Sequence, residues 1–257
     1  NRGRSETLTM ITAIILTLNE ESNIESCLEK LKWADEMLVV DSGSSDRTVE
    51  LAKRSGARVV SHPFTDYASQ RNFAMQEAKG DWVLFIDADE HVSPELAEEI
   101  QGVIRTPCDH IYTIPFHTFF FGRRLRFGDA LRDLHVRLFP RTKAVWGQPV
   151  HEKVVTELPC RELKNPVVHY TTRDLEHYMR KIDGYLAREV SAMKERGLRP
   201  SWIRLILNPI ARFFQLYFWK LGILDGVGGF QYAILSAYYT FEKHRRYLKR
   251  FDQHECT

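Results

Sequence analysis

The stretch Phe85-Ile86-Asp87-Ala88-Asp89-Glu90 decides the fold, because it places two carboxylates directly after an apolar run that begins at Trp82. That run is short and rich in β-branched and aromatic residues, which is typical of a buried parallel strand. Asp87 and Asp89 therefore emerge together where a strand ends. Carboxylates in this position can hold Mg²⁺ or Mn²⁺, ions that prefer oxygen ligands and often carry nucleotide phosphates. On these residues alone, a solvated acidic loop is the alternative.

Three more strands precede this one, and each is followed by a helical pattern. They cover residues 10–17, 37–41 and 57–61, and the third helix, at about residues 66–79, is expected to end at Gly80 as a C-cap. Strands that alternate with helices predict right-handed crossovers and an α/β fold with a mostly parallel sheet. Ligands bind such sheets at the carboxyl ends of the strands. The polar residues expected on that rim are Thr17, Asn19, Glu20, Asp41, Arg71, Asp87 and Asp89.

Composition limits the other classes of function. The chain has 257 residues, 44% of them hydrophobic, which is enough to bury one large core. No G-x-G-x-x-G or Walker lysine loop occurs, which argues against a dinucleotide enzyme and a P-loop NTPase. The four cysteines are far apart and predict neither a zinc site nor a disulfide framework, so we expect reduced thiols in the cytosol. No leader peptide is expected at the start of the sequence.

Charge divides the chain into two parts. Residues 173–250 hold 15 Lys and Arg against 7 Asp and Glu, whereas residues 1–172 hold 21 against 25. We therefore expect an α/β domain over residues 1–172 and a helical region over residues 173–257. Residues 202–224 are rich in aromatic and aliphatic side chains but lack an uncharged run long enough to cross a membrane. This region is expected to lie in a membrane interface, with packing on the sheet or a homo-oligomer interface as alternatives; nucleic acid is not an expected partner.

Several motifs together resemble family 2 glycosyltransferases, which are inverting enzymes of the GT-A fold. The motifs are Thr17-Leu18-Asn19-Glu20-Glu21, Val39-Val40-Asp41-Ser42-Gly43-Ser44, Gln70-Arg71-Asn72, Asp87-Ala88-Asp89-Glu90, Val150-His151-Glu152 and Leu224-Asp225-Gly226. The chain is most similar to the branch that acts on the lipopolysaccharide inner core. The resemblance covers nearly the whole sequence.

The resemblance implies a donor site for a nucleotide sugar, UDP-hexose being expected. Thr17 and Asn19 would cradle the nucleotide, Asp41 would accept from the uracil N–H and Glu20 would lie near the ribose. For Asp41 the alternative is a turn into Gly43 that its side chain stabilises. Further roles are implied for the remaining residues: Arg71 would meet the diphosphate or Asp87, Asp89 would bind Mg²⁺ or Mn²⁺, Asp87 would reach the ribose or a metal-bound water, and His169 would complete the metal site.

The resemblance also implies catalytic and acceptor residues. Glu152 is the expected general base, and His151 is a neighbour that orients it, contacts phosphate or serves as the base itself. Related enzymes commonly carry Glu-Asp where this chain has His-Glu. The aromatic loop with Arg123 and Arg124, together with the strand that carries Arg137, is expected to bind the acceptor, because arginines bind phosphate and aromatic faces pack on sugars. An ordinary surface loop is the alternative.

The expected function is transfer of a hexose, with glucose from UDP-glucose as the leading donor, to an inner-core heptose in a β linkage. The acceptor would be lipid-linked, and the enzyme would be peripheral on the inner face of the cytoplasmic membrane. Transfer to another glycan or to a protein is the alternative within the same class. A scaffold that binds a nucleotide sugar or a membrane without catalysis is the alternative outside that class.

Overall fold

The computed structural model describes residues 9–106, 109–131, 133–147 and 153–255. They form two compact units. The first comprises Asn1–Phe116 and Leu134–His169, and the second comprises His117–Asp133 and Tyr170–Thr257. The second unit therefore contains both the C-terminal helices and a segment that the sequence assigned to the first domain.

The strands and helices follow the order that the sequence predicted in the first hundred residues. The strands are β1 Ile11–Thr17, β2 Glu36–Asp41, β3 Arg58–Ser61, β4 Trp82–Asp87, β5 Glu90–Val92, β6 Ile111–Phe120, β7 Arg123–Arg124, β8 Leu134–Pro140, β9 Val145–Gly147, β10 Lys153–Val155, β11 Cys160–Glu162 and β12 Val167–Thr172. The helices are α1 Ile24–Glu29, α2 Thr48–Arg54, α3 Tyr67–Glu77, α4 Pro94–Ile104, α5 Leu175–Glu195, α6 Trp202–Phe214 and α7 Val227–Glu255.

One sheet joins most of the strands in the order β3-β2-β1-β4-β8-β6-β12-β5. Strands β1 to β4 pair in parallel, as the βαβ pattern predicted, whereas β8 runs antiparallel to β4 and to β6. This is the expected α/β architecture of GT-A type, with a mostly parallel sheet and a helical C-terminal extension. The fold class is confirmed.

The parallel register brings three strand ends to one rim. Thr17 lies opposite Asp41 in the pairing of β1 with β2, and Leu16 lies opposite Asp87 in the pairing of β1 with β4. Strands β1 and β4 are central and buried along almost their whole length. Residues far apart in the sequence are therefore held at one edge by a rigid part of the sheet.

Gly80 has a different role from the one expected. Helix α3 ends at Glu77, and Ala78 is already extended, so Gly80 is not the C-cap. A Cβ atom at Gly80 would lie 2.6 Å from the backbone nitrogen of Thr12. Glycine is needed there because two backbone segments approach closely at the start of β4.

The second unit is built from helices that surround a carboxylate. A 3-10 helix, Gly128–Ala130, carries Asp129, whose oxygens accept hydrogen bonds from Lys220 Nζ at 2.6 Å, from Arg212 and from Tyr232 Oη at 3.1 Å. A π-helix, Gln215–Trp219, and a 3-10 helix, Gly222–Asp225, link α6 to α7. Within the described part of the chain, none of the helices combines the length and apolar character that a membrane crossing requires.

Candidate active site

The loop after β2 is organised by the side chain of Asp41. One oxygen of Asp41 accepts from the backbone N–H groups of Gly43 and Ser44, both at 2.9 Å. The other oxygen accepts from the hydroxyls of Ser44 and of Thr17, the latter at 3.1 Å. Asp41 is 3% exposed. The turn into Gly43, which has a φ of 97°, is therefore present, and four donors already engage the carboxylate.

The loop after β1 is tied to the loop after β2 through Asn19. The side-chain oxygen of Asn19 accepts from the backbone N–H of Ser45 at 2.8 Å, and the backbone N–H of Asn19 donates to Ser44 Oγ at 2.8 Å. Asn19 adopts a φ of 58°, in the left-handed region that asparagine tolerates better than most residues. The backbone N–H of Glu20 donates to Thr48 Oγ1. These bonds hold the rim residues Asn19 and Glu20 in place.

The two aspartates at the end of β4 have different surroundings. Asp87 accepts from Arg137 Nη2 at 3.0 Å, and its backbone N–H donates to Glu90 Oε2 at 2.8 Å. Arg137 Nη2 also donates to Glu90 Oε1 at 2.7 Å. The side chains of Arg137 and Glu90 are 8% and 1% exposed, whereas that of Asp87 is 44% exposed. Arg137 and Glu90 thus form a buried support beneath Asp87.

The positive charge of Arg137 and the burial of the carboxylates shift the pKa values of Asp87 and Glu90 in opposite directions. Burial raises the pKa of Glu90 to about 8, despite the Arg137 guanidinium beside it. Partial burial also opposes ionisation of Asp87, but the attraction of Arg137 outweighs it and lowers the pKa of Asp87. Asp87 therefore stays ionised at neutral pH because Arg137 is in place.

This position corrects the expectation for Arg137. The sequence placed it with Arg123 and Arg124 at the acceptor, but its guanidinium is buried in the first unit and binds Asp87 and Glu90. Glu90, the last residue of the Asp87-Ala88-Asp89-Glu90 motif, accepts a hydrogen bond from Arg137 in the interior.

Asp89 lies beside His169, which is 80 positions later in the chain. His169 Nε2 is 3.4 Å from Asp89 Oδ1, and the two side chains are 24% and 12% exposed. The pairing of β12 with β5 sets this approach, since His169 lies opposite Glu90. A carboxylate and an imidazole are suitable ligands for Mn²⁺, and a magnesium or manganese site commonly takes its other ligands from phosphate and water. Among the described residues, no group of three or more His, Cys, Asp and Glu side chains could hold an ion.

The Gln70-Arg71-Asn72 motif fixes the loop after β2 and strand β9. Gln70 is fully buried, and its Nε2 donates to Ser42 Oγ at 3.1 Å. Arg71 stacks on the ring of Trp146 with its guanidinium carbon 4.3 Å from the centroid, and its charge helps to lower the pKa of Asp87. Asn72 donates to the backbone oxygen of Trp146 and accepts from its backbone nitrogen. Sequence reasoning missed Trp146, whose position before the His-Glu motif was the available signal.

The expected catalytic pair, His151 and Glu152, lies outside the described residues. The positions on either side are described: Gly147 of β9 pairs with Lys153 of β10 in an antiparallel ladder. Because Asn72 and Arg71 both contact Trp146 in β9, the segment leading to this motif is anchored to helix α3.

Arg123 and Arg124 are exposed on β7 in the second unit, and Arg126 follows them on the same loop. Asp225 accepts from the backbone N–H groups of Arg126 and Phe127, so its carboxylate fixes the loop without neutralising the arginine side chains. No ion pair engages the three guanidinium groups within the described part of the chain. The arrangement is an exposed cationic loop on a fixed backbone, which suits an anionic ligand.

Comparison with known proteins gives consistent matches. The model of the family described as "Glycosyl transferase family 2" matches residues 12–157. An uncharacterized glycosyltransferase of Rickettsia bellii is 31% identical over 92% of this chain and 86% of its own length. The lipopolysaccharide core biosynthesis glycosyltransferase LpsC of Rhizobium meliloti is 27% identical over 91% of this chain and 93% of its own length.

A solved structure also matches part of the chain. Glucosyl-3-phosphoglycerate synthase of Mycobacterium tuberculosis, in complex with Mn²⁺, UDP and glucosyl-3-phosphoglycerate, is 28% identical with a TM-score of 0.38. The match covers 44% of this chain and 46% of that one, so the chain spans about half the length of this relative.

Proposed function

The chain belongs to glycosyl transferase family 2, and we propose that it is a metal-dependent, inverting hexosyltransferase of lipopolysaccharide inner-core assembly. The proposed donor is UDP-glucose, the acceptor a lipid-linked inner-core heptose and the product linkage β. One observation carries the proposal: Asp87 and Asp89 leave β4 on the same rim as Thr17 and Asp41, with His169 beside Asp89. The similarity to LpsC supports the choice of acceptor class.

The nucleotide would lie across the loops after β1 and β2. We assign the uracil to Asp41 and the ribose to Glu20 and Asp87. Since Asp41 already accepts four hydrogen bonds, a uracil N–H would take the position now held by the Ser44 hydroxyl, which can rotate away. Thr17 and Asn19 would keep both loops in place during this exchange.

Asp89 and His169 fit a divalent cation, Mg²⁺ or Mn²⁺, as two protein ligands of compatible chemistry. When bound, the cation would supply positive charge that stabilises the departing diphosphate. Arg71 is assigned to the same diphosphate, because it is held on the Trp146 ring and its charge already reaches Asp87. Arg137 donates a hydrogen bond to Asp87 and keeps its carboxylate ionised.

Inversion requires one base that removes the proton of the acceptor hydroxyl while the anomeric carbon is attacked from the side opposite the diphosphate. We assign this base to Glu152 and give His151 the task of orienting it. The exposed Arg123 and Arg124 are assigned to anionic groups of the acceptor. The enzyme would work as a peripheral protein on the inner face of the cytoplasmic membrane, where a lipid-linked acceptor is presented.

The decisive experiment is transfer of labelled glucose from UDP-glucose to purified inner-core lipopolysaccharide. Glu152→Gln should abolish turnover and retain UDP binding, whereas Glu157→Gln, which changes an exposed glutamate nearby, should leave both unchanged. His151→Ala should retain measurable turnover. Full turnover by Glu152→Gln would remove Glu152 from the mechanism, and glucose transfer only to another glycan or to a protein would replace the proposed acceptor. UDP binding without any transfer would favour a scaffold.

A further inference from the structure

The second unit exposes an unusually large set of apolar side chains. They lie on α6, on the π-helix and on the first half of α7, and we call them the apolar face. Its most exposed members are Trp219 at 87%, Ile203 at 69% and Trp202 at 67%. Isolated exposed apolar residues need no explanation, but a contiguous patch of this kind marks an interaction surface.

The exposed apolar residues of α6 follow a regular helical spacing. Trp202, Ile206, Ile210 and Phe214 recur at helical intervals and are all exposed. Two polar side chains of α6 contact other parts of the second unit: Asn208 Nδ2 lies 3.0 Å from His244 Nε2 in α7, and Arg212 binds Asp129. Most of the large apolar side chains of α6 are therefore exposed, with Leu205 buried, whereas a helix that packs on a soluble core buries its apolar stripe.

A groove of about 700 Å³ opens on this face. Three aromatic residues line it together with Ala211, namely Phe214, Phe218 and Trp219, and its polar residues are Asn208, Arg212, Gln215 and Thr240. The π-helix forms part of the wall, and such helices occur frequently at functional sites. The groove has the size of a small-molecule site, and its aromatic side suits a hydrocarbon chain.

The net positive charge of the C-terminal helical region indicates which partner binds the apolar face. Residues 173–250 carry 15 Lys and Arg against 7 Asp and Glu, so two copies of this unit would repel one another. Arg204 is exposed within the apolar row of α6, and Arg199 lies just before it; neither takes part in an ion pair within the described residues. Anionic lipid head groups provide the missing counter-charge, and aromatic residues such as Trp202 and Trp219 favour the boundary between head groups and acyl chains.

We propose that the apolar face inserts into the interface of an anionic bilayer and that its groove takes an acyl chain of a membrane lipid. This deepens the proposed function, on which it rests for the presence of a membrane-borne acceptor, by naming the surface and the lipid chemistry. An interfacial helix of this kind sinks roughly 5–10 Å below the head groups. The cations at the start of α6 remain at head-group level.

Vesicle flotation tests the proposal with the full chain. The probes are vesicles of phosphatidylethanolamine and phosphatidylglycerol, compared with vesicles of phosphatidylcholine. The parent should bind the anionic vesicles, and added salt should weaken the binding. Trp219→Ser and Phe218→Ser should each reduce partitioning about tenfold. Leu175→Ser, which removes a similarly exposed leucine on α5, should bind as the parent does.

Tryptophan fluorescence adds a second readout, because Trp82 and Trp146 are buried whereas Trp202 and Trp219 are exposed. Anionic vesicles should shift the parent emission to shorter wavelength, and Trp219→Phe should retain binding but lose much of that shift. Equal vesicle binding by the parent and the Trp219→Ser variant would overturn the proposal. A dimer in sedimentation equilibrium that Trp219→Ser dissociates, without vesicle binding, would also overturn it.

The proposed function is tested separately by UDP titration without vesicles. UDP binding without vesicle binding would refute the membrane face alone. Vesicle binding without UDP binding would refute the donor site alone.

Discussion

Replacing Arg137 by methionine should destabilise the first unit, because it removes the cation between two carboxylates. An exposed ion pair contributes about 0–1 kcal/mol, but the side chains of Arg137 and Glu90 are only 8% and 1% exposed. Loss of one partner of a buried pair costs about 3–5 kcal/mol when the remaining charge stays buried. Glu90 meets that condition only above its pKa of about 8, and Asp87 is 44% exposed, so we expect a loss of about 1–3 kcal/mol at neutral pH from the broken hydrogen bonds. Methionine keeps most of the apolar volume, so the loss reports charge rather than a cavity.

The loss should depend on pH. In the parent, Asp87 has a lowered pKa, so its contribution to stability is present above its unfolded pKa and is lost as pH falls. Without Arg137 the pKa values of Asp87 and Glu90 both rise, so the variant keeps its stability at low pH and loses it as pH increases. Glu90, whose pKa is about 8 in the parent, is protonated below that pH in parent and variant alike and adds little to the difference between them. The difference in unfolding free energy comes from Asp87 and should therefore be larger at about pH 8 than at about pH 4.

Urea unfolding, followed by the fluorescence of the buried Trp82 and Trp146, measures this difference. Arg161→Met provides the control, because Arg161 is exposed on β11 and its replacement should change stability by less than about 0.5 kcal/mol. The double variant Arg137→Met with Glu90→Met should recover part of the loss. A loss below about 1 kcal/mol, or one that is equal at both pH values, would refute the buried-support interpretation.

Three further changes test other parts of the fold by the same unfolding measurement. Gly80→Ala should cost about 1–3 kcal/mol or more, because the new Cβ would meet the Thr12 backbone; a neutral effect would contradict the close approach. Asn72→Ala should cost about 2–4 kcal/mol, since both backbone groups of Trp146 lose a partner, and stability unchanged from the parent would refute that role. Burial opposes ionisation of Asp129, but the two cations beside it lower its pKa, so Asp129→Asn should cost about 1–2 kcal/mol at neutral pH and less in acid. A loss of stability in Asp129→Asn that increases as the pH falls would contradict the lowered pKa of Asp129.

The rim of the sheet could be predicted because strands are local patterns. The runs that end at Thr17, Asp41 and Asp87 are apolar and β-branched, and the βαβ rule orders them without knowledge of tertiary contacts. The helical C-terminal part followed from spacing and charge in the same way. The position of the polar residues relative to the strand ends was therefore accessible from the sequence.

The burial of charged groups could not be predicted from the sequence. Glu90 and Arg137 look like surface residues in the sequence, and only the pairing of β8 with β4 brings them together in the interior. The role of Gly80 was predicted wrongly, because glycine is typical both of a helix C-cap and of a place where two backbone segments approach closely. The sequence alone does not distinguish these two roles. The assignment of residues 117–133 to the second unit depends on contacts with helices about a hundred positions later, such as those of Asp129 with Lys220.

Calorimetric titration of UDP with and without Mn²⁺, on the parent and on Asp89→Ala, tests the proposed donor and metal site most directly. Asp109→Ala, at an exposed site away from the rim, is the matched control. We expect Mn²⁺-dependent binding of UDP and weaker binding of GDP, CDP and dTDP. Asp89→Ala should lower the affinity about tenfold or more, since changes even beyond the direct metal ligands cost that much. Absence of UDP binding in a folded parent, or binding that is indifferent to Mn²⁺ and to Asp89, would contradict the proposed donor and metal site.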